Sequence, residues 1–334
     1  MFTTTAHSRP ANADQPNEDW YAATPDIVIV LDGATIRTDT GCIHDLPWYV
    51  YQLGSRLLAS AGDHSCTLTR ALADAISGVS AAHSDTCDLT HPGTPSAATG
   101  VVRVNADRLE WLVLGDITVM TDTPDELLIA CDERVSQVGV AERRECDKYP
   151  LGSPEKMAAI HAMKPLELAA RNTAGGYWIA SVDPSAPEHA IIGSALLSDV
   201  SRFAVCSDGA MRALSMTSIS THKTVLSVLH HNGPSALVDQ VRLVEERDAT
   251  GMRRPRNKAT DDATAVVAER IDTQVPAIST AQRDAAISEI VAFTNGRLMG
   301  ATPVHPDWPH LRSTSRDTPT EHEIERKDLS GQYP

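Results

Sequence analysis

Residues 26–34 read DIVIVLDGA: five apolar, mostly β-branched residues run unbroken into Asp32 and Gly33. The run is too short for a helix and rich in Val and Ile, so it predicts a buried strand that delivers a carboxylate to the rim of a sheet. The runs at 98–104 (ATGVVRV), 109–114 (LEWLVL), 177–182, 203–206 and 264–268 have the same character and are read as strands. Residues 1–17 are polar and turn-rich and read as an irregular arm. Between the strands lie helical stripes. Trp48, Val50, Leu53, Leu57 and Leu58 mark one within 47–60, and Leu68, Ala71, Leu72, Ala75, Ile76 and Val79 mark another within 66–81. Residues 222–231 and 235–247 repeat the pattern, the latter behind the cap Gly233-Pro234-Ser235. Helices thus come in pairs between groups of strands. That arrangement predicts an α+β sandwich and not a doubly wound parallel sheet.

The strand ends are acidic. Asp32-Gly33 follows the first run, Asp116 follows LEWLVLG, Asp208-Gly209 follows RFAVCS, Asp261-Asp262 precedes TAVVAER, and Asn17-Glu18-Asp19 precedes the first run. Asp-Gly after any single strand is an ordinary turn signal. Several acidic ends sharing one rim would repel unless protonated or neutralised by a cation, and all-oxygen donors suit Mg²⁺ or Mn²⁺.

In this order the motifs NED (17–19), VLDGA (30–34), LGD (114–116), CSDG (206–209) and DDATAVV (261–267) resemble the metal-dependent (type 2C) serine/threonine protein phosphatases, over roughly residues 10–270. The resemblance implies a four-layer α-β-β-α fold, a central sandwich of two mainly antiparallel sheets flanked by pairs of helices. It also implies a centre of two Mn²⁺ or Mg²⁺ ions, with a third, looser position. Asp32 would bridge the two ions and the Gly33 carbonyl would bind one. Asp19, Asp208 and Asp261 would add carboxylates, Glu18 would act through water, and Asp116 would serve the third position. Asp32 and Asp208 would be central to catalysis, the hydrolysis of phosphoserine or phosphothreonine in a phosphoprotein by metal-activated water. Thr99 is read as structural.

Four departures surround the implied ligands. Where relatives carry a phosphate-gripping Arg, this chain has Asp14, leaving Arg9 further upstream as the candidate substrate-binding cation. Ala34 stands in place of a His, Ile117-Thr118 in place of Ser-Arg, and Asp262 in place of Asn. Two further readings therefore stand beside the protein phosphatase: a non-catalytic binding module of the same fold, and a phosphatase of a small phosphorylated metabolite.

The chain has 334 residues, 42% of them hydrophobic, with 29 Lys and Arg against 44 Asp and Glu, a net charge of −15. An acid excess of this size argues against a nucleic-acid binder. No apolar run reaches the roughly 18 residues of a membrane span, and no signal peptide is evident, so a soluble cytoplasmic protein is expected. The six cysteines (Cys42, Cys66, Cys87, Cys131, Cys146 and Cys206) show no CxxC spacing and are read as plain reduced thiols. His230-His231 read as a solvated helix end, and the basic run 253–258 (RRPRNK) as a loop that could guide an anion. The domain layout expected is a phosphatase-like domain at 1–270, a helix within 271–299 and a flexible tail at 300–334.

Overall fold

In the computed structural model, residues 1–35 and 38–271 are described, so the expected C-terminal helix and tail lie outside the described residues. The strands in chain order are β1 (Phe2–Arg9), β2 (Asp19–Ala23), β3 (Ile27–Gly33), β4 (Ala97–Asn105), β5 (Arg108–Leu114), β6 (Thr118–Asp122), β7 (Leu127–Ala130), β8 (Ile191–Leu196), β9 (Arg202–Cys206) and β10 (Ala263–Arg270). The helices are α1 (Leu46–Ala61), α2 (Leu68–His83), α3 (Val140–Cys146), α4 (Pro154–Ala170), α5 (Asp208–Met216), α6 (His222–Asn232) and α7 (Pro234–Arg247). They build two five-stranded sheets, ordered β1-β10-β9-β6-β7 and β2-β3-β4-β5-β8. Every strand pair is antiparallel.

The two-sided burial of β3 explains its unbroken apolar run. Ile27, Ile29 and Leu31 pack under α1 and α2. Val28 and Val30 point the other way and meet Val119, Phe203, Val205 and Val266 of the second sheet. The outer face of that second sheet, with Ala204, Cys206, Ala265 and Val267, is covered by α5, α6 and α7. Four layers result, helices outside and sheets inside, and the expected α+β sandwich is the observed fold. No helix among the described residues is long and apolar enough to cross a membrane.

Two expectations are corrected. Phe2–Arg9, read as part of an irregular arm, is an edge strand in full register with β10, from Phe2 opposite Arg270 to Arg9 opposite Ala263. Its Thr, Ser and His residues suit a strand with one half-exposed face, and they look like loop composition for the same reason. Residues 177–182, read as a strand, make only isolated bridges, Tyr177 with Arg171 and Ala180 with Ala97. The run is apolar because it packs beneath the cavity described below, and it adds no strand to either sheet.

Candidate metal centre

Alternation along β3 decides where its carboxylate goes. Val28 and Val30 face the sandwich interior, and Asp32 continues that face where the strand runs out. Asp19 stands directly opposite Asp32 across the β2–β3 pair, a like-charge juxtaposition that costs stability unless something offsets it. From the second sheet, β9 ends at Cys206 and passes through Ser207 into the first turn of α5, which begins with Asp208. Its N-terminal position gives Asp208 the favourable end of the helix dipole. Asp261 lies just before β10, and Asp116 just after β5, behind Gly115, whose φ of +86° sharpens the turn.

These carboxylates reach one another. Burial, and then the charges of Asp19, Asp208, Asp261 and Asp116, hold the Asp32 carboxyl well above its ordinary range. Asp208 is raised by burial and by Asp261, and it lies within hydrogen-bonding reach of Asp32. Asp116 is pushed up to about 7, first by burial and then by Asp208. Asp19 is pushed up to about 8 by burial, against hydrogen bonds from Thr264 and Ser207. Ser207 Oγ donates to Asp19 Oδ2 at 2.9 Å and accepts from the Thr264 amide at 2.9 Å, so it fixes the carboxylate. The other oxygen, Asp19 Oδ1, is buried without a hydrogen-bond partner.

Glu18 is half-buried, accepts from Thr35 Oγ1 at 2.6 Å, and has a carboxyl raised chiefly by burial. Its backbone carbonyl accepts from Gly33 N at 3.1 Å, an approach so close that a Cβ at Gly33 would sit 2.7 Å from it. Gly209 is required still more strictly: a Cβ there would lie 1.9 Å from the Asp262 carbonyl. Asp262 itself is taken up by the backbone, accepting from Ala11 N at 2.6 Å and Glu18 N at 3.0 Å.

Above Asp32, Gly33, Asp116, Asp208 and Asp261 opens a cavity of about 500 Å³. Its far wall is the α3–α4 segment, which contributes Arg143, Ile160, Met163, Lys164 and Glu167. Arg143 and Glu167 pair at 2.6 Å across that segment. Among the described residues, six carboxylates and five cations line the space, so the acidic floor faces a basic rim.

The predicted residues are not all equivalent. Asp32, Asp116 and Asp208 converge at the floor, and Asp19 is buried directly behind it, opposite Asp32. Asp261 is also at the floor but is already paired, with Arg212 Nη2 at 2.7 Å and with Lys258 Nζ. Arg9 is not brought to the cavity. It pairs with Asp239 at 3.0 Å on the outside of the molecule. Asp14 is exposed in the turn before β2 and does not line the cavity either. The cavity cations missed at the sequence level are Arg143, Lys164 and Arg212. Arg212 follows Asp208 by one helical turn, a signal available once 208–216 is read as a helix. Lys258 belongs to the basic run 253–258 that was expected to guide an anion.

The donor set fits a hard divalent cation. It consists of oxygens only, the carboxylates repel one another, and a buried carboxylate oxygen stands without a partner.

No family model and no curated protein matches the sequence. Solved structures match its fold. The serine/threonine phosphatase Stp1 from Staphylococcus aureus superposes with a TM-score of 0.50 at 10% identity, over 81% of this chain and 96% of that one. This chain has the fold of a bacterial serine/threonine phosphatase. The Mycobacterium tuberculosis phosphatase PstP/Ppp gives a TM-score of 0.49 at 14% identity, over 80% of this chain and 98% of that one. The PstP catalytic domain solved with two manganese ions gives 0.48 at 15% identity, over 81% and 99%.

Proposed function

We propose that this chain is a divalent-metal-dependent phosphatase acting on phosphoserine or phosphothreonine, with Mn²⁺ or Mg²⁺ as its ions and a phosphoprotein as its substrate. The observation that carries the reading is the convergence of Asp32, Asp116 and Asp208 from two sheets onto one cavity floor, with Asp19 buried opposite Asp32. Asp32, Asp208 and Asp19, with the Gly33 carbonyl, would hold the ions; Asp116 would serve a further one and Glu18 would act from behind. Bound there, the ions supply charge neutralisation to phosphoryl oxygens and acidify a water.

The chain's own residues supply the rest. Ser207 keeps the Asp19 carboxylate oriented, and Thr35 does the same for Glu18. The cavity volume is ample for a phosphorylated side chain. Arg143, Lys164, Arg212 and Lys258 put positive charge on its walls, in the part that Arg9 was expected to play. Displacement at phosphorus is chiefly positioning and charge neutralisation, so an acidic floor holding cations beneath a basic rim is chemically sufficient.

The reading is tested with p-nitrophenyl phosphate and a phosphothreonine peptide, assayed after chelation and again with added Mn²⁺. Turnover should appear only with metal, and Asp32→Asn and Asp208→Asn should each lower it by about 100-fold or more. Equal rates with and without metal, or full activity in either variant, would contradict it.

One observation favours the second reading, a non-catalytic module. Arg212 and Lys258 already neutralise Asp261, which would otherwise be a ligand. If that pairing persists, calorimetry should detect metal binding without any turnover. Metal-dependent turnover of either substrate eliminates this reading. A small phosphorylated metabolite as substrate is separated from a phosphoprotein by comparing the two under the same metal.

A further inference from the structure

Away from the carboxylates, two loops bring three other donors together. Cys42 and His44 lie on the loop entering α1, and Cys87 on the loop leaving α2. Their Sγ atoms are 2.9 Å apart, and His44 Nδ1 lies 3.6 Å from Cys42 Sγ and 3.4 Å from Cys87 Sγ. All three side chains are half-buried.

The backbone holds this arrangement from both sides. The Asp88 amide donates to the Gly41 carbonyl at 2.8 Å, and the Cys87 amide to the His83 carbonyl at 3.0 Å. Thr40 Oγ1 accepts from the Cys42 amide and donates to the Cys42 carbonyl, both at 3.1 Å. Gly41 takes a φ of +64°, and a Cβ there would strike His91. The His44 ring is stacked on Trp48 with centroids 3.8 Å apart, which sets the direction of its nitrogens. Next to it, His83 is 2% exposed, and neither of its ring nitrogens has a hydrogen-bond partner. The centroids of His83 and His44 are 5.9 Å apart.

We propose that Cys42, His44 and Cys87 form a binding site for a borderline-soft divalent cation, Zn²⁺ by preference, separate from the carboxylate centre. A tetrahedral ion with bonds of about 2.3 Å to sulfur and about 2.0 Å to nitrogen separates its N and S donors by about 3.5 Å. The two observed N···S distances match that separation. The sulfur pair must open by somewhat under 1 Å, a movement within the reach of two surface loops. Thiolate and imidazole donors select against Mn²⁺ and Mg²⁺, so the two sites sort ions by chemistry. On binding, each thiol gives its proton to solvent and its sulfur lone pair to the ion, with no change of oxidation state. The three donors leave a fourth tetrahedral position for solvent.

The site clamps the loop that follows Asp32-Gly33 to the loop that precedes β4. That second loop touches the rim of the cavity, since Ser96 O accepts from Ala34 N, a lining residue, at 2.9 Å. The ion is therefore structural and stiffens one flank of the carboxylate centre.

The test is titration of the reduced full-length protein with Co²⁺ alone. A thiolate-to-cobalt charge-transfer band should grow in the near ultraviolet, saturate at one ion per chain and disappear on adding Zn²⁺. Cys42→Ser and Cys87→Ser should each abolish the band. Cys66→Ser and Asp32→Asn should keep it, which separates this proposal from the carboxylate reading, because oxygen ligands give no such band. No charge-transfer band in the wild-type protein overturns the proposal, whether or not the variants fold. A band unchanged in Cys87→Ser also overturns it. So does a Cys42–Cys87 disulfide in the isolated protein that, once reduced, takes up no Co²⁺.

Discussion

Asp19 and Asp32 face each other across β2 and β3, and a fold has no stability motive for that pair. Burial first, and then neighbouring acids, raise both carboxyls, Asp19 to about 8, and Asp116 is likewise raised to about 7. The sign of the consequence follows. Between the ordinary Asp value of about 4 and these raised values, the metal-free folded protein holds more protons than the unfolded chain. Its extra stability is fully present below about pH 4 and is lost as pH rises through about 7 to 8. Thermal melts in chelator should therefore show the melting temperature falling from pH 5.5 to 8. Saturating Mn²⁺ should flatten or reverse that slope, because it favours the ionised carboxylates. Asp32→Asn should stabilise the metal-free protein at pH 8 by about 0.5–2 kcal/mol while removing the Mn²⁺ effect. A variant less stable than wild type would mean that the carboxylates are not in conflict.

At the scale of elements, much of the arrangement was legible because burial left a mark on composition. β3 is apolar throughout because one face meets α1 and α2 and the other meets the second sheet. α1, α2, α6 and α7 show stripes because each has one covered face. β1 hid because an edge strand rich in Thr, with Ser and His, resembles a loop until its partner is known. α4 hid because only Lys156, Ile160 and Met163 are buried along it and Pro165 interrupts its pattern. Asp32, Asp116, Asp208 and Asp261 were legible because each lies beside the end of a readable strand, whereas Asp19 opens β2, which was not read as a strand. Cys42 and Cys87 were not, because only the folded loops bring together residues so far apart in the chain.

Elements are also joined by buried charge. Arg103 on β4 is 1% exposed and donates to the carbonyls of Ala61, Asp63 and Cys66 and to Glu110 at 2.9–3.2 Å, closing the C-terminal end of α1. Arg103→Met leaves those carbonyls unsatisfied. Urea denaturation should show a loss of about 2–4 kcal/mol. A loss below about 1 kcal/mol would show that water replaces the guanidinium at no cost.

For the molecule as a whole, the sandwich is a device for convergence. Each sheet alone offers its rim two or three acids. Packing the sheets face to face brings Asp19, Asp32 and Asp116 of one against Asp208 and Asp261 of the other. The acids therefore weaken the metal-free fold, and an ion bound as proposed would return stability by mass action, about 2.7 kcal/mol at one hundred times its dissociation constant. Arg212 and Lys258 partly neutralise the cluster on the Asp261 side. Asp32 and Asp208 are thus the test of whether the floor is a cation site. The decisive measurement is an anomalous difference map from crystals grown with Mn²⁺. The account predicts peaks within ligand distance of Asp32 and Asp208; a map without density there, with Asp261 still paired to Arg212 and Lys258, would contradict it.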